Sequence, residues 1–360
     1  MRKLAALLPL VLVLSACSSK NIEPETAAEA LKKHNTGGFV LQPEHTLYLE
    51  NGDYAYNPAT GQFIDKMVRE HGFDRQQLES VMSQTKRLDY VLRLMDQQAP
   101  TKRPPSGPNG AWLRYRGKFI TPDNVQNGVQ FWNQYQAELK RAEAVYGVPP
   151  EIIVGIIGVE TRWGRVMGKT RIIDALSTLA FSYPRRAEYF SAELKTFLLM
   201  AREEGKDPLT LKGSFAGAMG YGQFMPSAFQ NYAVDGNGDG HVDLWDPVDA
   251  IFSVANYFRG YGWTPGAPVA IPASGQAPDL DHGFKTRYPV STLNQAGLTP
   301  NGSLQGHKEA SLLRLDVGSG YQYWYGLPNF YTITRYNHST HYAMAVWQLG
   351  EAVGRQARQQ

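Results

Sequence analysis

The stretch PPEIIVGIIGVE, residues 149–160, places a carboxyl group where a core helix would carry an apolar side chain. The two prolines suit the first turn of a helix, because that turn has no use for their missing N–H groups. Ile152, Ile156 and Glu160 then fall at i, i+4 and i+8, on one stripe of the predicted helix. We therefore expect Glu160 to point inward, into the protein or into a cleft.

Burial would remove water from the Glu160 carboxyl and raise its pKa, and the negative end of the helix dipole would act in the same direction. A carboxyl group that stays protonated near neutral pH can serve as a proton donor. The alternative is a glutamate at a frayed helix end, solvated or paired with Arg162 or Arg165. This helix alone leaves both interpretations open.

The first residues are predicted to be a signal rather than part of the fold. Residues 1–16 combine a basic start, an apolar run from Leu4 to Leu14 and small residues, the pattern of a secretory signal peptide. The sequence LSAC at 14–17 resembles the bacterial lipobox, in which the cysteine, here Cys17, is lipidated. Because serine follows the cysteine, we expect a lipid anchor on the periplasmic face of the outer membrane. A plain signal peptide with an incidental cysteine is the alternative.

Composition excludes several classes of function. Loss of residues 1–16 would lower the formal charge from +3 to +1, which leaves no electrostatic footprint for nucleic acid. Cys17 is the only cysteine in the sequence, so if it carries the lipid, no cysteine remains for disulfides, thiol catalysis or a zinc–thiolate site. No later segment is long and apolar enough to cross a membrane. The 20 tyrosines and 7 tryptophans suit stacking on sugars, and equally suit a large core.

Helical periodicity dominates the chain, except for one stretch rich in proline, glycine and strand-forming residues. A polar tether is expected at 17–42, and a proline- and glycine-rich connector at 100–110 marks a boundary. The pattern predicts helices near 61–68, 78–82 and 88–95, a long helix from Thr121 to about Tyr146, helices near 150–161, 171–182, 184–204, 247–260 and 341–357, and strands at 312–317 and 321–325.

Three ordered blocks resemble the lytic murein transglycosylases: VGIIGVETRWGR at 154–165, GAMGYGQFMPS at 217–227 and NFYTITRYN at 329–337. The resemblance covers most of the chain from about residue 40. It implies a mainly α (α+β) fold, a goose-lysozyme-like helical core with an α-helical domain and a small β-rich domain. The corresponding division is an α-helical domain at 43–105, a catalytic core at 106–263, a β-rich domain at 264–325 and a returning segment at 326–360.

The resemblance implies that Glu160 is the single catalytic acid and base. Such an enzyme cleaves the bond between N-acetylmuramic acid and N-acetylglucosamine in peptidoglycan and closes a 1,6-anhydro ring without water, helped by the substrate acetamido group. Most glycosidases use two carboxyl groups, and no second acid stands near Glu160 in the sequence. A hydrolytic muramidase and a non-catalytic peptidoglycan-binding scaffold remain the alternatives. Other cell-wall enzymes are candidate partners.

Further site residues follow from the same resemblance. Arg185 and Arg186 are candidates for pairing with carboxylates of the peptide stems, although a solvated surface is their simpler interpretation. For each tyrosine, core packing with one satisfied hydroxyl is the alternative. The residues implied to bind glycan or to orient Glu160 are Ser214, Gln223, Phe224, Tyr257, Tyr336, Asn337, Tyr115 and Tyr342.

A second signal is the stretch DGNGDGHVDLWD, residues 235–246, which matches the start of an EF-hand loop. Its oxygen ligands suit calcium or magnesium, and we expect a structural calcium ion and no organic cofactor. Asp246 stands where an EF-hand has glutamate, and Pro247 behind it makes Asp246 resemble a helix N-cap. A metal-free hairpin is the alternative. The candidate ligands are Asp235, Asn237, Asp239, the His241 carbonyl, Asp246 and Asp249.

Overall fold

The computed structural model describes residues 48–97, 107–277 and 279–359, and Cys17, the signal peptide and the tether lie outside them. The described chain is mainly helical, with one five-stranded sheet and one small two-stranded sheet. This confirms the predicted mainly α (α+β) class. The domain boundaries drawn from the sequence stay a proposal.

Along the chain, most helices precede the strands of the larger sheet, one lies between them, and two follow them. The helices are α1 (Pro58–His71), α2 (Arg75–Ser83), α3 (Asp89–Gln97), α4 (Ala111–Arg116), α5 (Pro122–Gln134), α6 (Gln136–Tyr146), α7 (Pro150–Thr161), α8 (Ile172–Ser182), α9 (Ala187–Glu203), α10 (Pro226–Tyr232), α11 (Pro247–Gly260), α12 (Val290–Gln295), α13 (Pro328–Thr334) and α14 (Thr340–Ala357). The strands are β1 (Thr170–Arg171), β2 (Lys212–Gly213), β3 (Ala270–Gly275), β4 (Tyr288–Pro289), β5 (Leu298–Pro300), β6 (Glu309–Asp316) and β7 (Tyr321–Gly326).

Helix α7 lies at the centre of the helical body and is buried on all sides, not along one stripe. Of its 12 residues, only Glu151 is not buried. Helix α14 packs along α7 at very short range, because glycines remove the side chains between them. A Cβ atom at Gly155 would lie 2.3 Å from the carbonyl oxygen of Val346, and one at Gly350 would lie 1.9 Å from that of Glu151. This close approach sets the C-terminal segment against the helix that carries Glu160.

The prediction of one long helix from Thr121 to about Tyr146 is wrong, because the helix breaks at Tyr135. The backbone there has φ −114° and ψ 28°, and its N–H still closes the last turn of α5 on the Phe131 carbonyl. Helix α5 packs on α14 and α7, whereas α6 packs mainly on α11. The break lets two consecutive helices follow different neighbours, which apolar periodicity cannot reveal.

The five-stranded sheet is antiparallel in every pairing, in the order β4-β6-β7-β3-β5. It has a hydrophobic core of its own, in which Leu293 of α12, Leu298 and Leu312 are buried. Helix α12 was not predicted from the sequence. After β7 the chain runs through α13 to α14, which is how the sheet comes to lie beside the helical body.

Within the part of the chain that the structure describes, no single helix is both long and apolar enough to cross a membrane. Helices α6 and α7 meet that criterion only as a pair, bent by 116°. The more apolar member, α7, is the buried central helix, and core helices of this kind pass the same test.

Candidate active site

A cavity of about 330 Å³ opens beside the last turn of α7. Its wall combines aromatic rings with polar and charged side chains. Its lining includes one glutamate (Glu160), two arginines (Arg186 and Arg335), six aromatic residues (Tyr189, Phe224, Tyr232, Tyr257, Tyr261 and Tyr336) and polar side chains such as Gln223, Asn337 and His338.

Glu160 is the only carboxyl group among the described residues that line this cavity. Its side chain is 7% exposed, and Tyr342 donates a hydrogen bond from its hydroxyl to Oε1. Burial raises the pKa of Glu160 to about 7, and the hydrogen bond from Tyr342 opposes this rise. At neutral pH the group therefore exists both as an acid and as a carboxylate, as a residue that first donates and then accepts a proton requires.

The end of α7 is capped and ordered, which contradicts the frayed-end alternative. Arg162 and Trp163 both adopt left-handed backbone conformations, with φ of 51° and 56°. Their N–H groups donate to the carbonyls of Gly158 and Ile157, at 3.0 and 3.3 Å. The Trp163 indole turns back and donates to the Val154 carbonyl at 3.2 Å. Glu160 thus sits in a fixed last turn, and within the described residues no ion pair involves it.

Tyr342 and Tyr115 lie next to Glu160 inside the protein and do not line the cavity. Tyr342 is 1% exposed and stands in the first turn of α14, where the Ser339 hydroxyl accepts from its backbone N–H at 3.3 Å. The hydroxyl of Tyr115 is buried and has no hydrogen-bond partner among the described residues. Burial, and then the negative charge of Glu160, raises the pKa of Tyr115. Tyr342 therefore acts on Glu160 from inside the protein, whereas the effect seen at Tyr115 is that of Glu160 on Tyr115.

The cavity wall does include Gln223, Phe224, Tyr257, Tyr336 and Asn337, as the resemblance implied. The tyrosine hydroxyls are already bonded to main chain, that of Tyr257 to the Arg335 carbonyl at 2.8 Å and that of Tyr336 to the Gly222 carbonyl at 2.5 Å. These tyrosines therefore present their rings rather than their hydroxyls. The Asn337 Oδ1 atom is buried and unpartnered within the described residues.

Gln223 has a left-handed backbone, with φ 54°, in the turn that follows Gly220. Its amide nitrogen donates to the carbonyls of Gly220 and Met167, at 2.9 and 3.2 Å. These two bonds fix the side chain and leave its oxygen as the end available to a ligand. A non-glycine residue in this conformation is typical of a functional site that the surrounding structure holds in place.

Ser214 and Arg185 do not line the cavity. The Ser214 hydroxyl accepts from the N–H groups of Ala216 and Ala218, at 3.3 and 2.9 Å, and so braces the turn leading to Gln223. Arg185 is exposed in a 3₁₀ turn. Arg186 does reach the cavity, with its guanidinium 4.3 Å from the ring centre of Tyr189.

Sequence reasoning missed several cavity residues, among them Tyr189, Tyr232, Tyr261, Arg335 and His338. Three of these five had a signal in the sequence. Tyr261 follows Tyr257 by four residues, one helical turn, and their ring centres are 4.6 Å apart. Arg335 lies inside the block at 329–337. His338 directly follows that block, whereas Tyr189 and Tyr232 come from segments that only the tertiary fold brings to the cavity.

The loop from Asp235 to Asp249 is folded around its own backbone N–H groups. Asp235 accepts from Gly238, Asp239 and Gly240, and these donors, Gly240 foremost, lower its pKa. The Asn237 amide donates to the Asp239 carboxylate at 3.2 Å, so three oxygen-bearing side chains share one short loop. This donor set fits a hard cation such as calcium. No group of three or more His, Cys, Asp or Glu side chains stands gathered for a metal within the described residues.

The two later candidates of this loop differ from each other. Asp246 accepts from the N–H groups of Val248 and Asp249 and is the N-cap of α11, the role that Pro247 behind it indicated. Asp249 is fully buried and accepts from the N–H groups of Gly236, Asn237 and Asp243. Asp249 therefore ties the two ends of the loop together, and Asp246 begins the helix behind it.

Comparison with known proteins gives one family. Residues 55–351 match the family model described as the transglycosylase SLT domain. The chain is 71% identical over 354 residues to membrane-bound lytic murein transglycosylase B of Escherichia coli (strain K12), with 98% of both chains covered.

Two solved structures of the Escherichia coli lytic transglycosylase Slt35 match the fold. The structure in complex with bulgecin A is 72% identical, with a TM-score of 0.84, and covers 88% of this chain and 99% of its own. The structure in complex with calcium is 71% identical, with a TM-score of 0.83 and the same coverage. The chain therefore belongs to the family of lytic transglycosylases with an SLT domain.

Proposed function

We propose that this enzyme cleaves the β-1,4 bond between N-acetylmuramic acid and N-acetylglucosamine in peptidoglycan glycan strands without water and leaves 1,6-anhydromuramic acid ends. One observation carries the proposal: Glu160 is the only carboxyl group among the described residues lining the cavity, and burial raises its pKa to about 7. A site with one carboxyl group needs a substrate that supplies its own nucleophile.

Glu160 supplies the proton for the first half of the reaction. Its neutral carboxyl donates to the glycosidic oxygen, the bond to C1 of the muramyl sugar breaks, and the N-acetylglucosamine leaves with a free 4-hydroxyl. The acetamido oxygen of the muramyl sugar stabilises the positive charge that develops at C1. No second protein carboxyl group is required for this step.

The second half returns the proton. The Glu160 carboxylate takes the proton from the C6 hydroxyl, whose oxygen then bonds to C1 and closes the 1,6-anhydro ring. The acid is regenerated without water. A pKa near 7 suits both roles, because neither protonation state is strongly disfavoured at neutral pH.

The lining supports sugar binding. The cavity presents aromatic rings for sugar faces, the free oxygen of Gln223 and the unpartnered Oδ1 of Asn337 as acceptors for N–H and O–H groups of the glycan, and Arg186 at its edge. Ser214, which is bonded to the turn, supports Gln223 instead of binding sugar in this proposal.

A hydrolytic muramidase remains the competing reaction at the same bond. An inverting hydrolase needs a second carboxylate to activate water, and a retaining one needs a nucleophile about 5 Å from the acid. The described lining offers no such group. A non-catalytic scaffold has no use for a buried acid whose pKa lies near 7.

We further propose that the loop from Asp235 to Asp249 binds calcium as a structural ion. Asp235, Asn237, Asp239, the His241 carbonyl and Asp249 would hold it, and Asp246 would cap the following helix. The oxygen donors of the loop and the calcium complex of Slt35 support this. No organic cofactor takes part in the proposed reaction.

The Escherichia coli relative is named a membrane-bound transglycosylase, and this name supports membrane association of the present protein. We propose that a lipid on Cys17 anchors it to the outer membrane, on the periplasmic face, where peptidoglycan lies within reach and other cell-wall enzymes are candidate partners. The sequence at 14–17 supports this anchor. Labelling with a radioactive fatty acid, compared between the wild type and Cys17→Ala, tests it.

Product analysis decides the reaction. We expect enzyme that lacks residues 1–17 to release muropeptides from purified sacculi that are lighter by one water than hydrolytic products and have no reducing end. Mass spectrometry, with and without prior borohydride reduction, measures both properties. A digest dominated by reducible ends would replace the transglycosylase reaction with muramidase hydrolysis.

A further inference from the structure

A second, larger groove lies outside the catalytic cavity, where the edge of the five-stranded sheet meets α13. It has a volume of about 960 Å³, which is at the upper end for ligand-binding clefts. Its walls are the segment leading into β4, the start of β6 and the turn from β7 to α13. We call it the sheet-edge groove.

The sheet-edge groove is positively charged. Lys285, Arg287 and Lys308 line it, against the single carboxylate of Glu309. Glu309 is already paired with Arg287, since both Nε and Nη2 of this arginine donate to it. Lys285 and Lys308 are exposed and have no ion-pair partner among the described residues. An occupant that matched this groove would therefore carry carboxylates or another anionic group.

A hydrogen bond and a ring contact connect the sheet-edge groove to residues that line the catalytic cavity. Tyr331 lines the groove and is 44% exposed, and its hydroxyl accepts from Nη1 of Arg335, a cavity residue, at 3.2 Å. Phe284 also lines the groove, and its ring centre is 6.3 Å from both that of Tyr331 and that of His338, another cavity residue. The side chains of the groove thus contact two residues that line the catalytic cavity, Arg335 and His338.

Resting on the proposed function, we propose that the sheet-edge groove binds the carboxylates of a peptide stem carried by the same glycan strand that the catalytic cavity holds. The occupant has to be anionic, elongated and attached close to the scissile bond. A peptide stem joined to the lactyl group of a muramyl sugar has all three properties. Lys285 and Lys308 would pair with its carboxylates, and Tyr331 would pack along its chain.

The groove makes the enzyme prefer strands that carry stems. A stem in the groove adds two charge pairs to the contacts of the glycan, so the effect falls on KM rather than on the proton transfer at Glu160. Because exposed charge pairs weaken as salt rises, the preference should also shrink between low and high ionic strength.

The test compares two substrates and two double variants. Soluble glycan strands that bear stems and the same strands after amidase removal of the stems are digested by wild type and by Lys285→Gln/Lys308→Gln. The preference is the ratio of kcat/KM for stem-bearing strands to that for stem-free strands. We expect the double variant to lower this preference about fivefold at low salt, the size that two exposed charge pairs provide. The control, Lys66→Gln/Lys140→Gln, removes two lysines from α1 and α6 and should keep it.

The outcomes separate this proposal from the proposed function. An unchanged preference in the double variant, or an equal loss on both substrates, would overturn the groove as a stem site while anhydro products still form. Products with reducing ends from every enzyme would overturn the transglycosylase reaction itself, whatever the preference shows. Circular dichroism and the melting temperature of both double variants verify that their fold is intact.

Discussion

The Glu160 cavity and the loop from Asp235 to Asp249 both use carboxyl groups, and their surroundings shift the pKa of Glu160 and that of Asp235 in opposite directions. Glu160 is buried with one hydroxyl donor, and burial raises its pKa to about 7. Asp235 is exposed and accepts three backbone N–H groups, which lower its pKa. Asp249 combines both conditions, since burial raises its pKa while three N–H donors oppose the rise.

The difference shows what decides whether a carboxyl group transfers protons or holds charge. Loss of water favours the neutral acid, whereas a set of N–H donors stabilises the anion and, at the buried Asp249, opposes the effect of burial. The cavity therefore suits acid–base chemistry, and the loop suits binding of a cation. Each prediction below changes one side of this comparison.

The largest effect is expected for Glu160→Gln, which keeps the shape of the side chain and removes the transferable proton. General acid–base catalysis contributes about 10²–10⁴-fold, and because one group serves both halves of the reaction we expect a loss of at least about 10⁴-fold. The rate of anhydro-muropeptide release measures it. Glu151→Gln, on the same helix but paired with Arg358, is the matched control and should stay active. Turnover of the Glu160 variant within a few-fold of wild type would contradict this role.

The same variant should change how stability depends on pH. The folded pKa of Glu160, about 7, lies above its unfolded value, so the folded state binds more protons and wild-type stability falls as pH rises between about 4.5 and 7. The amide that replaces this carboxyl cannot ionise. Between pH 5 and pH 8 we therefore expect wild type to lose roughly 2–3 kcal/mol relative to Glu160→Gln. Urea unfolding at both pH values measures it, and parallel changes in the two proteins would refute the raised pKa.

On the other side of the comparison, calcium should stabilise the loop. An ion that binds only the folded protein adds about 2.7 kcal/mol at a hundredfold excess over its Kd, so calcium should raise the melting temperature and a chelator should lower it. Asp239→Ala should abolish this response, and Asp123→Ala on α5 should retain it. Equal melting curves with calcium and with chelator would exclude the site. A turnover rate that followed calcium while stability did not would make the ion catalytic.

Local sequence patterns predicted α7, α11 and α14, but they missed α10, which lines the cavity, and they failed where tertiary contacts decide. The apolar run before Glu160 correctly predicted α7 and an inward-pointing carboxyl. The helix predicted through Tyr135 breaks, because α5 and α6 have different packing partners. Helix α12, which lies between β4 and β5 in the chain, was missed because a six-residue helix shows too little periodicity to be recognised.

Part of the site was predictable as residues, but the contacts between them were not. Gln223 and Asn337 lie in blocks that the resemblance identifies, and both reach the cavity. Ser214 lies close to one of these blocks, yet its hydroxyl is committed to a turn, which only coordinates reveal. Tyr342 bonds to Glu160 across 182 residues of chain. That contact depends on the close packing of α7 and α14 at Gly155 and Gly350.

The smallest effect is expected for Tyr342→Phe, which removes the single hydroxyl donor from Glu160. The hydrogen bond from Tyr342 lowers the pKa of Glu160, so its loss should raise that pKa further above 7. A hydrogen bond to a charged group contributes about 1.5–3 kcal/mol, and one pKa unit is about 1.4 kcal/mol, so we expect a shift of about one to two units. The acid form would persist to higher pH, and the alkaline limb of kcat against pH should move upward. Tyr54→Phe removes another buried tyrosine hydroxyl, which is bonded to Thr178 and does not shift the pKa of Glu160, and it should leave the limb in place. An unmoved limb in Tyr342→Phe would mean that burial alone sets the protonation of Glu160, and the contrast with the N–H-rich loop would then be sharper still.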